Sequence, residues 1–233
     1  MFWEAARCPQ RAASILDEKV KECYSVTAPK DAETFIKEQK EFLRQNPECS
    51  TALYNLGVKA MEEGRLEEAA EYFEEAIECG GRMFEACVNL GYIYYLWGDL
   101  ERVVLANKKA VEIEPRYARG YANLGFAYLQ MVRTDEAIAA LEKAIELNPQ
   151  IAQAWANLVS AYLQKGDIDK AVETGEKLVE IAPDFGLGHN NLACAYYMKE
   201  EHVKAIKHLD LAVKFGYPVN PDFLKALELY RGS

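Results

Sequence analysis

The chain lacks the residue patterns that usually carry catalysis or metal binding. Its six cysteines include no Cys-x-x-Cys pair, and its three histidines, His189, His202 and His208, include no two that lie four residues apart. Zinc sites and redox motifs depend on such spacings, and a chain of 233 residues is too large to need disulfide staples. No Ser-His-Asp arrangement, phosphate-binding loop or pair of catalytic carboxylates is recognisable either. We therefore expect no enzyme, no cofactor and no metal site.

An excess of positive charge is also missing. Lysine and arginine number 27 against 37 aspartates and glutamates, which gives a formal net charge of -10. Nucleic acids and anionic membrane surfaces are bound through cationic side chains, so neither is an expected partner. No apolar run is long enough to span a bilayer, and the start of the chain, MFWEAARCPQRAASIL, lacks the apolar core of a signal peptide. We expect a folded protein of the cytoplasm.

A repeat of fixed length organises most of the sequence. Asparagine returns at intervals of 34 residues, at Asn55, Asn89, Asn123, Asn157 and Asn191, and each is followed by leucine. The same period delimits five repeats, which we number 1 to 5: residues 50–83, 84–117, 118–151, 152–185 and 186–219. A period of this length indicates supersecondary units that stack on their neighbours.

Other positions of the repeat recur in the same register. Position 7 is always leucine, position 8 is small in most repeats, and position 11 is tyrosine in repeats 2 to 5. Position 20 is alanine or valine, and position 32 is proline in repeats 2 to 4. Small residues let two helices approach closely, and proline ends a helix. The pattern therefore predicts two antiparallel helices in each repeat, with a break near its middle.

These positions resemble the signature of the tetratricopeptide repeat family, which is Trp-x-x-Leu-Gly-x-x-Tyr followed by Ala-x-x-x-Phe and Pro. The clearest copy is WANLVSAY, in which Trp155, Leu158 and Tyr162 hold their family positions. Departures from the signature stand at Asn107, Val159 and Gly175. The resemblance covers residues 50–219 and implies an all-α fold, a right-handed superhelical solenoid of antiparallel helix pairs.

Both ends of the chain continue the register. Pro47 lies two periods before Pro115, so DAETFIKEQKEFLRQNP is predicted to be the second helix of an earlier, degenerate repeat. Residues 1–49 are thus expected to form an N-terminal arm and a degenerate helix pair. Residues 220–233 are expected to form a capping helix, because the last repeat of a solenoid needs a cover with a polar outer face.

The recurring asparagines stand at position 6 of the repeat. A helix turns by about 100° per residue, so this position lies on the arc of the first helix opposite to the signature residues. In the resembled family that arc lines a concave groove. A carboxamide offers two donors and an acceptor, so a ladder of amides can pair with the backbone of an extended peptide whatever its side chains are. The alternative is structural, because the same amides can also hydrogen-bond to the neighbouring helix.

We predict a peptide-binding groove lined by this asparagine ladder and by other residues of the same arc. Its predicted members are Asn55, Asn89, Asn123, Asn157, Asn191, Tyr54, Tyr92, Tyr95, Arg119, Phe126 and Leu129. The arc is mostly apolar or aromatic, and Arg119 is the only basic residue at positions 2, 5, 6 and 9. A carboxylate clamp for an acidic chain end needs lysine and arginine at those positions, so that family role is not expected.

The leading hypothesis is a non-enzymatic protein–protein interaction module or scaffold. It would bind an extended, largely uncharged segment of protein in the groove. A second hypothesis is a self-assembling homo-oligomeric scaffold that uses the groove and the N-terminal arm, which begins with Met1, Phe2 and Trp3. The run of glutamates between Glu62 and Glu78 is interpreted as a solvated helix face rather than a binding site.

Overall fold

Twelve α-helices and no strands make up the part of the chain that the structure, a computed structural model, describes, namely residues 32–46, 49–79 and 83–231. The helices are α1 (Ala32–Gln45), α2 (Ser50–Glu62), α3 (Leu66–Glu78), α4 (Phe84–Leu96), α5 (Leu100–Ile113), α6 (Ala118–Gln130), α7 (Thr134–Leu147), α8 (Ala152–Lys165), α9 (Ile168–Ile181), α10 (Gly186–Met198), α11 (His202–Lys214) and α12 (Pro221–Glu228). The predicted N-terminal arm, the first helix of the degenerate repeat and Pro47 lie outside the described residues. Among the described helices, none is long and apolar enough to cross a membrane.

The chain divides after Pro115 into an N-terminal unit that contains α1 to α5 and a C-terminal unit that contains α6 to α12. Inside each unit, every helix packs against the next one along the chain. In the C-terminal unit the first helices of successive repeats also pack against each other, α6 against α8 and α8 against α10. The prediction of an all-α array of helix pairs is confirmed.

In repeats 1 to 3, a glycine at position 8 of the first helix packs against a larger residue at position 24 of the second helix. Glycine at position 8 faces a larger side chain at position 24, in the pairs Gly57 with Phe73, Gly91 with Asn107 and Gly125 with Leu141. A Cβ atom on Gly125 would lie 2.7 Å from the Leu141 Cδ2 atom, a distance that real contacts do not reach. Repeat 4 has Val159 at position 8 and Gly175 at position 24, and a Cβ atom on Gly175 would lie 2.9 Å from the Leu192 Cδ1 atom of repeat 5. Glycine at this position therefore permits a close approach between two successive repeats.

The turn between the two helices of each repeat needs a left-handed residue at position 15. Glycine meets this need in three repeats, at Gly64, Gly98 and Gly166, with φ between 75° and 82°. In repeats 3 and 5 the same conformation is adopted by Val132 (φ 58°) and Glu200 (φ 64°). A left-handed backbone brings Cβ close to the following carbonyl oxygen, so these two turns are strained relative to the glycine turns.

A single helix lies at each end of the described chain. Helix α1 packs against α2, with Phe35, Ile36, Phe42 and Leu43 half-buried. Helix α12 packs against α11 and buries Leu227 completely. The Asn220 side chain caps α12 by accepting a hydrogen bond from the Asp222 amide at 2.8 Å, and Pro221 occupies the first turn, where its missing N–H is not needed.

Candidate functional site

The first helices of the C-terminal unit form a surface that carries almost no charge. Helices α6, α8 and α10 lie side by side, and their residues at positions 2, 5, 6, 9, 12 and 13 include a single charge, the exposed Arg119. Phe126 and Leu129 on α6 are half-buried, as are Ser160 and Leu163 on α8. We call this set of positions on α6, α8 and α10 the first-helix surface. It combines partly exposed apolar groups with uncharged hydrogen-bonding groups.

The N-terminal unit carries the remaining predicted residues on α2 and α4. Tyr54 and Asn55 on α2 are half-buried, and so is Tyr92 on α4. Tyr95, near the end of α4, has 37% of its surface exposed. The aromatic groups of the predicted site are thus partly accessible in this unit.

The asparagines of the ladder are more enclosed than a helical wheel suggests. Asn89, Asn157 and Asn191 are only 4%, 8% and 9% exposed, whereas Asn55 and Asn123 are half-buried. Neighbouring first helices pack together in the C-terminal unit, and position 6 lies where α8 meets α10. The structural alternative therefore applies to part of the row.

Asn191 shows how such an amide joins two repeats. Its Nδ2 donates to the Ala156 carbonyl at 3.0 Å and to the Ser160 Oγ at 3.1 Å, both on α8. Ser160 in turn donates to the same carbonyl at 3.1 Å. Both amide hydrogens of Asn191 are engaged within the protein, so this residue ties α10 to α8.

Asn157 and Asn89 differ from Asn191. The Asn157 Oδ1 accepts from the Gln153 Nε2 at 3.0 Å, a contact within α8. The Asn89 Nδ2 is buried and makes no hydrogen bond to any residue that the structure describes. A buried donor without a partner costs stability, so Asn89 is the member of the row whose amide the fold leaves unsatisfied.

Sequence reasoning did not single out Gln153, Ser160 and Gln164, which add hydrogen-bonding groups to the first-helix surface. Gln153 and Ser160 bond to the asparagine row, and the Gln164 Oε1 accepts from the Thr134 hydroxyl at 2.8 Å. The available signal was their position, because they stand at positions 2, 9 and 13 of repeat 4, on the same arc as Asn157.

The cysteines near these helices are poorly suited to nucleophilic chemistry. The cysteines of the described residues, Cys49, Cys79, Cys87 and Cys194, form no disulfide bond with one another. Burial raises the pKa of Cys87 to about 11 and also raises the pKa of Cys194. A thiol is nucleophilic as the thiolate, so both groups stay protonated and inert near neutral pH. Within the described ranges, no three His, Cys, Asp or Glu side chains are grouped to hold a metal ion.

A pair of histidines lies between α10 and α11. The Nδ1 atoms of His189 and His208 are 3.0 Å apart, and the His189 Nε2 is 2.9 Å from the Pro183 carbonyl oxygen. Because a carbonyl only accepts, His189 carries its proton on Nε2 and accepts at Nδ1 from His208. His189 stands at position 4, where Trp155 of repeat 4 makes the equivalent bond from Nε1 to the Pro149 carbonyl at 2.8 Å.

Two family models, both described as tetratricopeptide repeat, match the chain. One matches residues 40–84 and 122–184, and the other matches residues 84–117. Together the matches span more than half of the chain. No curated protein matches it in sequence.

Several solved structures share the arrangement of helices. The alignment with a structure of MamA covers 72% of this chain and 92% of the MamA chain, with 28% sequence identity and a TM-score of 0.67. YrrB, described as a TPR protein with an unusual peptide-binding site, is 21% identical, covers 85% of this chain and 100% of its own, and has a TM-score of 0.72. PilF of Pseudomonas aeruginosa is 23% identical, covers 79% and 85% of the two chains, and has a TM-score of 0.66. The likeness to YrrB and PilF concerns the fold alone.

Proposed function

The chain belongs to the tetratricopeptide repeat family, and we propose that it is a protein–protein interaction module that binds an extended, largely uncharged segment of a partner. The observation that carries this proposal is the first-helix surface of the C-terminal unit. Three helices packed side by side carry eighteen such positions with one charge among them, Arg119, and most of these side chains are half-buried or exposed. Binding, rather than catalysis, is the activity that these apolar and amide groups support.

The surface is suited to a peptide that lies across the helices. Leu129 and Leu163 are half-buried on neighbouring helices and offer apolar contacts to alternate side chains of an extended chain. Gln153 and Gln164 offer amide groups that can pair with backbone N–H and C=O groups whatever the sequence of the ligand. Affinity would then depend on burial and hydrogen bonds rather than on charge.

We propose that the asparagine row divides between two tasks. Asn123, which is half-buried on the first-helix surface, is assigned to the backbone of the ligand. Asn191 is assigned to holding α10 against α8, since its donors are engaged there. Asn191→Ala should therefore lower the melting temperature. Asn123→Ala should weaken peptide binding by roughly two- to tenfold, the equivalent of one hydrogen bond.

The test is a selection of random dodecapeptides on the purified chain, followed by calorimetric titration of the recovered peptides. We expect sequences poor in Asp, Glu, Lys and Arg, and a Kd that stays constant when the salt concentration rises, because no ion pair is screened. The double variant Leu129→Ala, Leu163→Ala should weaken binding at least tenfold. Its matched control is Val203→Ala with Val213→Ala, two residues of α11 that are 76% and 50% exposed.

Two results would refute the proposal. One is a charged consensus whose affinity falls steeply with salt. The other is a peptide affinity that the Leu129→Ala, Leu163→Ala variant retains, while both variants keep the circular dichroism of the original chain.

A further inference from the structure

The N-terminal unit contains a cavity that the first-helix surface does not use. It has a volume of about 270 Å³ and opens between α3, α4 and α5. Cys87 and Leu90 of α4, Ile77 of α3 and Ala106 of α5 form its apolar lining. We call it the Cys87 cavity. It belongs to the N-terminal unit, whereas the surface proposed above for the peptide belongs to the C-terminal unit.

The residue at position 4, which lines the cavity, distinguishes repeat 2 from the other repeats. This position is Leu53, Cys87, Tyr121, Trp155 and His189 in repeats 1 to 5, so repeat 2 has the smallest side chain of the five. In repeat 4 the indole of Trp155 lies half-buried, fixed by its hydrogen bond to the Pro149 carbonyl. Repeat 2 has the same helix pairing without the ring. The Cys87 cavity is therefore found at the register where the same chain elsewhere accommodates an aromatic side chain.

At the mouth of the cavity, repeat 2 again has a residue that differs in character from those of the other repeats. Leu105 lines it and is 65% exposed. The equivalent residues of the other repeats are Glu71, Ala139, Glu173 and Lys207. An exposed leucine at a position that is otherwise small or charged marks a surface that can be covered by a partner. The exposure of Leu105 is a second observation, separate from the volume of the cavity, and it concerns the same part of the unit.

Aromatic and charged groups complete the rim. Tyr94 and Arg102 both line the cavity, and the Arg102 guanidinium lies over the Tyr94 ring at 4.9 Å. The Glu74 Oε1 accepts a hydrogen bond from the Tyr94 hydroxyl at 2.6 Å. The second carboxylate oxygen of Glu74 can accept a hydrogen bond from an N–H group. Acidic and basic side chains line opposite sides, Glu74 on α3 and Lys109 on α5. The rim thus favours a neutral, flat group with a hydrogen-bond donor.

We propose that the Cys87 cavity is a binding pocket for one aromatic side chain of a partner polypeptide, with tryptophan the side chain that fits best. Its volume lies below the range of about 300–1,000 Å³ that is typical of pockets for whole small-molecule ligands, which suits a single side chain. The indole would rest on Leu90 and Ile77, donate its N–H toward Glu74, and be covered by Leu105. The proposal stands apart from the peptide site on the C-terminal unit and can fail or succeed without it.

The test uses N-acetyltryptophanamide as the probe, with N-acetylleucinamide for comparison. Methyl NMR spectra of the full chain should show saturable shifts at Ile77, Leu90 and Leu105 with the tryptophan derivative, and at least fivefold weaker binding of the leucine derivative. Cys87→Trp should fill the pocket, abolish these shifts and raise the melting temperature. Leu105→Glu, which installs the residue type of repeats 1 and 4, should weaken binding at least threefold. The matched control Val203→Glu, on an exposed residue of α11, should not.

Three outcomes would overturn the proposal. The first is the absence of shifts at the three lining residues of the original chain. The second is unchanged binding of the tryptophan derivative by the Leu105→Glu variant. This variant keeps the test decisive if Cys87→Trp does not fold. The third is binding of free indole without binding of the amide derivative, which would make the pocket a site for a small aromatic molecule instead of a side chain.

Discussion

The Tyr94 hydroxyl donates to the Glu74 carboxylate at 2.6 Å and so links the first helix of repeat 2 to the second helix of repeat 1. The same bond, with the same separation of 20 residues, joins Tyr162 to Glu142 at 2.8 Å and Tyr196 to Glu176. A cation lies over the ring in each case, Arg102, Lys170 or Lys204. In repeats 2, 4 and 5, the tyrosine of position 11 thus acts as a connector to the preceding repeat.

Removing one of these hydroxyls should weaken the stack. Tyr162 is 6% exposed, so Tyr162→Phe leaves Glu142 without its donor at little change in packing. We expect a loss of about 0.5–1.5 kcal/mol, which lowers the melting temperature by roughly 1–6 °C. Tyr121→Phe is the control, since within the described residues its half-buried hydroxyl makes no hydrogen bond. Equal melting temperatures for the two variants would contradict the connector role.

The same bonds predict a loss of stability at high pH. Burial, together with the hydrogen bond to a carboxylate, raises the pKa of Tyr94 and of Tyr162 to about 12. An unfolded tyrosine ionises near pH 10, so the stabilisation is complete below pH 10 and is lost as the pH rises toward 12. Denaturant titrations at pH 9 and 11 should show that the deficit of Tyr162→Phe shrinks at the higher pH. A deficit that is the same at both values would contradict this linkage.

The left-handed turn residue Val132 should be replaceable with a gain in stability. Its φ of 58° is one that β-branched side chains rarely adopt, and its side chain is 69% exposed. Relief of the strain, roughly 1–2 kcal/mol, exceeds the entropy cost of glycine, about 0.5–1 kcal/mol. Val132→Gly should therefore raise the melting temperature by about 2–4 °C. Gly166→Val, the reverse exchange at the same register of repeat 4, should lower it, and a fall for Val132→Gly would contradict the strain.

The period of 34 residues predicted the helix pairs because each repeat builds the same local contacts, such as Gly125 against Leu141. The burial of the asparagines could not be predicted in the same way. A helical wheel describes one helix, whereas the enclosure of Asn157 and Asn191 depends on how closely α8 and α10 pack. The Cys87 cavity could not be predicted from the period either, because it depends on the space between α3 and α5 at a position where other repeats have a ring.

The short helix α12 should depend on one buried side chain. Leu227 is fully buried, while Leu229, two residues later, is 82% exposed. Leu227→Ala removes apolar contacts worth about 2–5 kcal/mol and should detach α12, which hydrogen exchange would report as loss of protection in residues 221–228. Leu229→Ala should change stability by less than about 0.5 kcal/mol. Retained protection in Leu227→Ala would show that α12 is held by its other contacts, such as the Arg231–Asp210 ion pair.

The histidine pair between α10 and α11 predicts a loss of stability in acid. Burial, His189 and Lys207 lower the pKa of His208 to about 4, with a smaller contribution from Lys204. The opposing effect of Glu176 is weaker than those of burial, His189 and Lys207 but stronger than that of Lys204. An unfolded histidine has a pKa of about 6.5. The folded chain therefore favours the neutral ring, and its stabilisation is complete above pH 6.5 and is lost as the pH falls toward 4.

His208→Phe keeps a ring beside Tyr196, which is 5.6 Å away, but removes the titrating group. The melting temperature of the original chain should fall by a few degrees more than that of His208→Phe between pH 7 and pH 4.5. His202→Phe is the comparison for a histidine outside this pair. Below about pH 4 His208 is protonated in both the folded and the unfolded state, so the difference between the original chain and the variant should level off. Parallel melting curves across the whole range would show that the Nδ1 contact between His189 and His208 does not depend on the neutral ring, and the prediction would be wrong.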